Sequence, residues 1–382
     1  MKKKKLVFLI NDLPFFMSHR LPIALNAVKN GYDVRIFTGQ PASVQMYNSY
    51  KNINNKFNFP ITELNFKSSD LNLFNNFYVF IKILNTFKKI NPDILHVVSM
   101  KSIILGGMIA RLINIKFLVI SFSGFGYLFT GKKTFFKRIL IFLFLFLLKI
   151  ICKHKNKKII CQNFVDKTFV LKNGLAKNKE IIFIKGSGVD LKLYKKIKYN
   201  INNNVVLMPS RLLINKGVID FFEAAKIIYK KGIKWKFIVI GASDYENPSA
   251  ITSDELNKWT NKYNIEIINH NVDLRSFYSS SGIVCLPSHR EGMPKSVIEA
   301  AASGIPVVTT DTVGCQESII PGKTGELANV NDPQDLAVKI MSLISNNKKR
   351  MLYSIAAKEF AKKNFDLNSV IEKHMQIYHN SS

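Results

Sequence analysis

The stretch "PSHREGMPKSVIEAAASGIPVVTT", residues 287–310, decides how this chain is read. The apolar run "IVCLPS" leads into it, a Gly-Met-Pro turn follows, then an Ala-rich helical run, a glycine stop and the apolar run "PVVTT". Strand, loop, helix, glycine and strand in that order describe a βαβ unit, whose two strands are parallel and covered on both faces. Two glutamates, Glu291 and Glu299, stand inside it, in a chain with 26 acidic residues against 55 basic ones.

The same alternation extends in both directions. "NVVLMPS", "KFIVIGAS" and "IEIIN" read as further strands of the second half, with "GVIDFFEAAKIIYKKG" as a helix between the first two. In the first half "KLVFLI", "YDVRIFTG", "DILHVV", "KFLVISFSG" and "KKIICQ" are strands, and "SHRLPIALNAVKNG" is a helix that Gly31 ends. Strand-helix alternation occurring twice predicts an α/β chain of two Rossmann-like domains, each with an open parallel sheet. A length of 382 residues suits two domains of ordinary size. We set the first at 1–190 and the second at 205–362, with a polar linker over 191–204 inside a hinge stretch from Gly186 to Asn204. A terminal helix over 363–382 could pack back on the first domain.

Parallel sheets bind ligands at the carboxyl ends of their strands. Glu291 and Gly292 fall just past the strand "IVCLP", at that edge. Pro294 suits the first position of the next helix, where its missing N–H costs nothing. The amides of Gly292, Met293 and Lys295 then lie at a positive helix end, which suits an anion or a sugar hydroxyl. Glu299 stands five residues into the helix, within reach of the same place. "PSRLLINKG" puts Arg211 and Lys216 after the first strand of that sheet, at the same edge. Two carboxylates, two cations and a helix start suit a ligand with diol and diphosphate parts. The bland alternatives are solvated loop cations, a surface turn and a helix-face carboxylate.

Charge is unevenly spread. Residues 1–200 hold 34 Lys/Arg and 8 Asp/Glu, a net of +26, whereas residues 201–382 hold 21 and 18, a net of +3. No acid lies between Asp93 and Asp166. Such a field attracts nucleic acid, anionic lipid or a phosphorylated substrate, unless it is only a set of solvated lysines. The apolar run Ile139–Leu148 is half the ~20 residues needed to span a bilayer, and it has basic flanks. It predicts a helix lying at an anionic membrane surface, with a plain core helix as the alternative. The start "MKKKKLVFLINDLP" has too short an apolar run for a signal peptide and reads as a first strand. The four cysteines make no Cys-x-x-Cys pair and no His cluster completes a metal site, so we expect no metal, buried thiols at Cys285 and Cys315, and a reducing cytoplasm.

"SRLLINKG" followed by "PSHREGMPKSVIEAAASGIPVVTTDTVGCQE" resembles the retaining GT-B-fold glycosyltransferases of family 4, whose hallmark is Glu, seven residues, Glu in this setting. The resemblance implies two Rossmann-like domains facing a cleft. It further implies that Arg211 and Lys216 bind the donor diphosphate, that Glu291 engages the donor sugar and Glu299 the ribose diol. The amides of Met293, Pro294's neighbour Lys295, and Ser296 would help hold phosphate and sugar. "NDLPFFMSHRLPIALNAVKNGYDV", "PDILHVVSMKS", "ISFSGFGYLFTG" and "GSGVD" resemble the subset that builds capsule or O-antigen repeats on a polyprenyl diphosphate carrier. Many relatives carry a His where Ser123 stands, so no catalytic His is assigned there. "FFMSHRLP" replaces their Gly-rich first loop, which would put Ser18, His19 and Arg20 near the donor phosphates or the lipid diphosphate; His19 reads equally as a capping or surface residue. Ser123 and Gly124 join this acceptor-side group. His96, at a strand end, is either a cleft residue or a satisfied core one, and "GFG" at 124–126 is too short for a dinucleotide fingerprint.

The resemblance implies a nucleotide-sugar substrate, UDP-linked with GDP as the alternative, and no separate cofactor. The acceptor would be a polyprenyl-diphosphate saccharide, with a soluble or other lipid acceptor as the second choice. Retention implies attack from the leaving-group face, and the chain has no Asp-x-Asp motif, in keeping with a metal-independent site. Such an enzyme works from the cytoplasm at the inner face of the plasma membrane. Nucleic-acid binding would need basic residues interleaved with stacking aromatics or a known motif, and neither is present, so no nucleic-acid partner is expected.

Overall fold

A computed structural model of the chain describes residues 3–40, 57, 59–67, 72–124, 135–243, 247, 249–260, 262–268 and 273–381. They fall into two compact units, Met1–Lys185 with Val370–Ser382, and Gly186–Ser369.

The first unit runs β1 (Lys5–Ile10), α1 (Leu13–His19), α2 (Leu21–Lys29), β2 (Asp33–Thr38), β3 (Ile61–Glu63), α3 (Leu73–Ile90), β4 (Ile94–Val98), α4 (Met100–Leu112), β5 (Phe117–Ser121), α5 (Phe135–Cys152), β6 (Lys157–Cys161), α6 (Phe164–Lys172) and β7 (Ile181–Phe183). Its seven strands are all parallel, in the order β3-β2-β1-β4-β5-β6-β7. Side chains along a strand alternate between faces. Val7 and Leu9 accordingly meet Ile83 and Phe87 of α3, Ile103 and Ile109 of α4, and Leu148 and Ile151 of α5. Leu6, Phe8 and Ile10 meet Phe16 of α1, Ile23 of α2, and Met375 and Tyr378 from the end of the chain.

The helix expected over "SHRLPIALNAVKNG" is two. Asp12 caps α1, accepting from Phe15 N–H at 2.7 Å. Arg20 ends it with φ −128°, and Pro22 lies in the first turn of α2, where its missing N–H is harmless.

The second unit runs α7 (Leu191–Tyr194), β8 (Val205–Pro209), α8 (Val218–Lys230), β9 (Lys236–Ile240), α9 (Ser253–Asn257), β10 (Ile265–Ile268), α10 (Leu274–Ser279), β11 (Ile283–Leu286), α11 (Lys295–Ser303), β12 (Val307–Thr310), β13 (Gly325–Ala328), α12 (Pro333–Ile344) and α13 (Asn347–Asn364). The last helix, α14 (Leu367–His379), belongs to the first unit from Val370 onward. Six parallel strands stand in the order β10-β9-β8-β11-β12-β13. Residues 186–204 are not a free linker. Val189 N–H bonds Phe365 C=O at 2.8 Å, Leu367 N–H bonds Val189 C=O at 3.1 Å, and Ile197 joins the second unit's core.

All four cysteines are free and buried. Burial pushes the Cys152 and Cys161 thiols up to about 12 and Cys315 to about 11. Among the described residues no helix is long and apolar enough to cross a membrane.

The first unit buries a polar cluster. His96 Nδ1 lies 2.7 Å from Tyr378 Oη and its Nε2 2.7 Å from Ser121 Oγ, while His374 Nδ1 lies 2.7 Å from Val370 C=O. Burial, then the neighbouring His374 and Arg20, holds His96 well below the usual imidazole range; burial and Arg20 hold His374 down to about 3. The unfolded chain takes up both protons near pH 6.5, whereas the folded chain does not. Stability from these two rings is therefore complete above about pH 6.5 and declines as pH falls below it, for His374 down to about 3, by up to ~1.4 kcal/mol per pH unit for each ring. Urea unfolding followed by circular dichroism should show a lower midpoint at pH 5.5 than at 7.5. Tryptophan fluorescence, arising from Trp235 and Trp259 in the second unit, should move less. A pH-independent dichroism midpoint would contradict two buried neutral rings.

Candidate functional site

In both sheets the strand order reverses beside the first strand, between β1 and β4 and between β8 and β11. The loops leaving two such strands diverge to opposite faces and open a crevice at their carboxyl ends. In the second unit the loops after β8 and β11 carry Lys216 and Glu291.

After β8 the chain passes Ser210 and the exposed Arg211, anchors itself with the buried Leu212 and Leu213, and turns through a short 3-10 segment, Ile214–Lys216. After β11 comes Ser288, wholly buried. His289 N–H donates to Asn215 C=O at 3.0 Å, which clamps the two loops together. Lys216 Nζ donates to Glu291 Oε1 at 2.5 Å, and the Ser288 hydroxyl donates to the same oxygen at 2.7 Å. The pair is mostly shielded, with 20% of the Lys216 side chain and 12% of the Glu291 side chain exposed. Both described bonds to the Glu291 carboxylate go to Oε1. Its backbone is fixed too, Glu291 N–H donating to Val313 C=O at 3.0 Å. Thr310 and Thr312 hydroxyls both donate to Ser288 C=O, tying the loop to the end of β12.

Glu299 lies on α11 and is 7% exposed. Tyr278 of α10, buried, shares its hydroxyl proton between Glu299 Oε2 and Ser296 C=O, each at 3.1 Å. Lys295 Nζ stands 3.5 Å from Glu299 Oε1. Burial and the Glu299 charge push the Tyr278 phenol well up, and the same two causes raise Tyr194. Both phenols therefore remain hydrogen-bond donors at neutral pH. Pro294 is the N-cap of α11, one position earlier than expected, because its ψ of 116° is extended. Among the described residues no side chain caps this helix. Met293 turns its side chain into an apolar cluster with Val189, Ile298 and Phe365, so only its main chain is left to face a ligand.

Of the four residues expected to converge, Lys216 and Glu291 are joined directly and Arg211 shares the Lys216 loop. Glu299 is held separately, by Tyr278 and Lys295. Two supporting residues were not anticipated, Ser288 and Tyr278; Gly314, which belongs to the family-like stretch, packs against the Glu291–Gly292 backbone. Ser288 stands in the decisive stretch, one position after a proline that closes a strand, and that position was the available signal. Tyr278 becomes a neighbour only through the fold.

The acceptor-side group divides. Ser18 and His19 are half-buried at the end of α1; the Ser18 hydroxyl lies 2.6 Å from His19 Nδ1, and the His19 ring stacks on Phe15 with centroids 4.2 Å apart. Ser123 and Gly124 are half-buried past β5, while Phe125 and Gly126 lie outside the described residues. Arg20 is corrected: it is 1% exposed, donates Nη1–H to His19 C=O at 3.0 Å, and among the described residues has no hydrogen-bond partner for Nε. The break between α1 and α2 turns it inward, where burial pushes the guanidinium down to about 10. His96 is likewise corrected. Of the two readings left open, it is the satisfied core residue, with no exposure and both ring nitrogens engaged. Among the described residues no three His, Cys, Asp or Glu side chains cluster to hold a metal.

Tyr278 is expected to act as a positioning residue for Glu299. Tyr278→Phe removes one hydrogen bond to a buried carboxylate, worth ~1–2 kcal/mol. If Glu299 binds the donor, KM for the donor rises by about five- to thirtyfold and kcat stays within about twofold. A fall in kcat with unchanged KM would show that Tyr278 acts elsewhere.

The family model of glycosyl transferases group 1 matches residues 191–360, and that of glycosyl transferase 4-like proteins matches residues 5–163. The chain is 30% identical over 330 residues to the N,N'-diacetylbacillosaminyl-diphospho-undecaprenol alpha-1,3-N-acetylgalactosaminyltransferase of Campylobacter jejuni, covering 82% of this chain and 84% of that one. It is 25% identical over 305 residues to the UDP-Gal:alpha-D-GlcNAc-diphosphoundecaprenol alpha-1,3-galactosyltransferase of Escherichia coli, covering 78% of each. Anabaena Alr3699/HepE, solved in complex with UDP-glucose, has the same fold, with a TM-score of 0.75 at 17% identity over 98% of this chain and 99% of that one.

Proposed function

Because the chain belongs to the glycosyl transferases group 1 and has their GT-B fold, we propose that it moves a hexose or N-acetylhexosamine from a UDP-sugar to a saccharide carried on a polyprenyl diphosphate, with retention and without a metal. The observation that carries this reading is the Lys216–Glu291 pair at the β8/β11 switch point. Two relatives that act on diphosphoundecaprenol-linked sugars support the acceptor class, and the alpha linkages in their names fit retention from an alpha-configured donor.

The chemistry follows from charge. The bond between the anomeric carbon and the β-phosphate oxygen breaks, and negative charge grows on the leaving diphosphate. Lys216 and Arg211 neutralise it, and the start of α11 adds its positive end. Glu291, pinned at Oε1 by Lys216 and Ser288, takes sugar hydroxyls. Glu299 takes the ribose diol. The acceptor oxygen bonds to the anomeric carbon from the leaving-group face, and its proton passes to the departing phosphate oxygen. Lys216 thus serves the donor in two ways, as a counter-charge for phosphate and as the clamp on Glu291. A lipid-borne acceptor makes this a peripheral enzyme of the cytoplasmic leaflet, assembling capsule, O-antigen or a related surface glycan.

Incubation with a panel of nucleotide sugars and a short polyprenyl-diphosphate monosaccharide, read by mass, tests the reading. The expected product is heavier by one sugar, unaffected by chelators, and alpha-linked by nuclear magnetic resonance. No product from any donor would overturn it, and an inverted linkage would remove the retaining mechanism.

A further inference from the structure

Two helices of the first unit are apolar on both sides. On α3 the inward residues Val79, Ile83 and Phe87 are buried in the core. Outward stand Phe74, Phe77, Tyr78 and Ile81, exposed by 90, 67, 62 and 37%. On α5 the inward residues are Phe144, Leu148 and Ile151, and the outward ones Phe135, Ile139, Phe142, Leu143 and Phe146, exposed by 80, 40, 69, 48 and 54%. Spacings of three and four residues gather each outward set on a single helical face. Scattered surface apolar residues are ordinary, whereas aromatic stripes of this extent mark an interaction surface.

The two stripes share a layer and an end of it. α3 packs on α4 and α4 on α5, all over the same face of the sheet. Helices that connect parallel strands run back against them, so their first turns lie at the carboxyl edge. The α3 stripe occupies residues 74–81 of a helix that ends at Ile90, and the α5 stripe residues 135–146 of one that ends at Cys152. Both therefore lie toward the edge at which a parallel sheet receives ligands.

We propose that α3 and α5 together dock this unit on an anionic lipid bilayer, both stripes entering the headgroup boundary. The proposal rests on the reading of a lipid-borne acceptor and deepens it by naming the surface that meets the lipid. Charge selects the occupant. Residues 71–165 hold fifteen Lys/Arg and one acid, Asp93, and neither helix contains an Asp or Glu. Lys82, Arg138 and Lys149 are exposed on the two helices themselves. A second copy of the chain would bring the same positive field to the contact and be repelled, whereas phosphatidylglycerol headgroups neutralise it. Neither helix is long and apolar enough to cross the membrane, so the contact is interfacial.

The test uses the full chain and two kinds of vesicle, phosphatidylcholine alone and phosphatidylcholine with phosphatidylglycerol in equal parts. Phe77→Trp and Phe142→Trp place a fluorophore on each stripe in turn. Binding to the anionic vesicles, reversed by salt, and quenching of both reporters by brominated acyl chains are the expected results. Phe74→Ser with Phe77→Ser, and separately Phe142→Ser with Phe146→Ser, should each lower the partition constant about tenfold. Turnover of a water-soluble short-chain acceptor should be unchanged by either pair. Quenching at only one position, undiminished partition of the serine variants, or a self-association that those variants abolish would overturn the two-helix surface. Vesicle binding with both reporters quenched, but no sugar transfer from any donor, would uphold the surface and refute the proposed reaction.

Discussion

Lys216→Ala should lower kcat/KM by at least ~10³-fold while leaving a folded protein, and Glu291→Ala should do the same. The magnitude comes from charge that appears only as the diphosphate leaves. A cation already in place at that position costs no reorganisation at the moment of reaction and is worth several kcal/mol in a shielded site. Lys216 is held by Glu291 at 2.5 Å, and the Ser288 hydroxyl reaches the same carboxylate oxygen, so if Lys216 meets the diphosphate it does so already in place. Removing either partner therefore removes one function and disorients the other, so the double variant should be scarcely slower than either single one. Stability should behave in parallel. Each single variant leaves one charge only 12% or 20% exposed without its partner, costing ~1–3 kcal/mol, and the double variant should recover part of that loss. Transfer assays with circular dichroism on all four proteins decide the matter. Wild-type turnover from either single variant would remove Lys216 and Glu291 from the reaction, and additive rate losses would mean that they act separately.

Much of this was legible because the features involved are local. Strands such as Ile94–Val98 and Val205–Pro209 announce themselves as short apolar runs, and Lys216 and Glu291 each follow such a run within a few residues. Of the four edge strands only β10 was legible, as "IEIIN", whereas β3, β7 and β13 were not. β3 spans three half-exposed or exposed residues, and β13 reads Gly-Glu-Leu-Ala; both exist because a neighbouring strand offers a ladder, as Val307 does to Gly325. Arg20 was misplaced and His96 left undecided for a related reason. Sequence puts Arg20 in an amphipathic run and His96 in a strand, but which way each side chain points is decided by the α1–α2 break and by the packing of Tyr378, nearly three hundred residues away from His96. The partners of the site, Tyr278 for Glu299 and Val313 for Glu291, belong to that long-range class as well.

Gly314→Ala should cost more activity than its size suggests, by about 10²-fold in kcat, together with ~2–4 kcal/mol of stability. Gly314 has φ +81°, a conformation that costs an L side chain ~1–2 kcal/mol wherever it occurs. At this position a Cβ would also press on the Glu291 carbonyl oxygen and come within 2.7 Å of Gly292 O. The neighbouring carbonyl, Val313 C=O, holds Glu291 N–H at 3.0 Å, so the loop cannot retreat from the new methyl without carrying Glu291 away from Lys216. Displacement of a positioned group by an ångström is enough for a rate loss of that order. Gly322→Ala supplies the control. Its φ is +71°, yet a Cβ there would meet nothing within 4 Å, so it should lose ~1 kcal/mol from strain alone and keep full activity. Thermal unfolding and transfer rates of the two variants, measured side by side, separate the two causes. Equal rate losses would assign the effect to backbone strain, whereas a loss confined to Gly314→Ala would tie turnover to the placement of the Glu291 backbone.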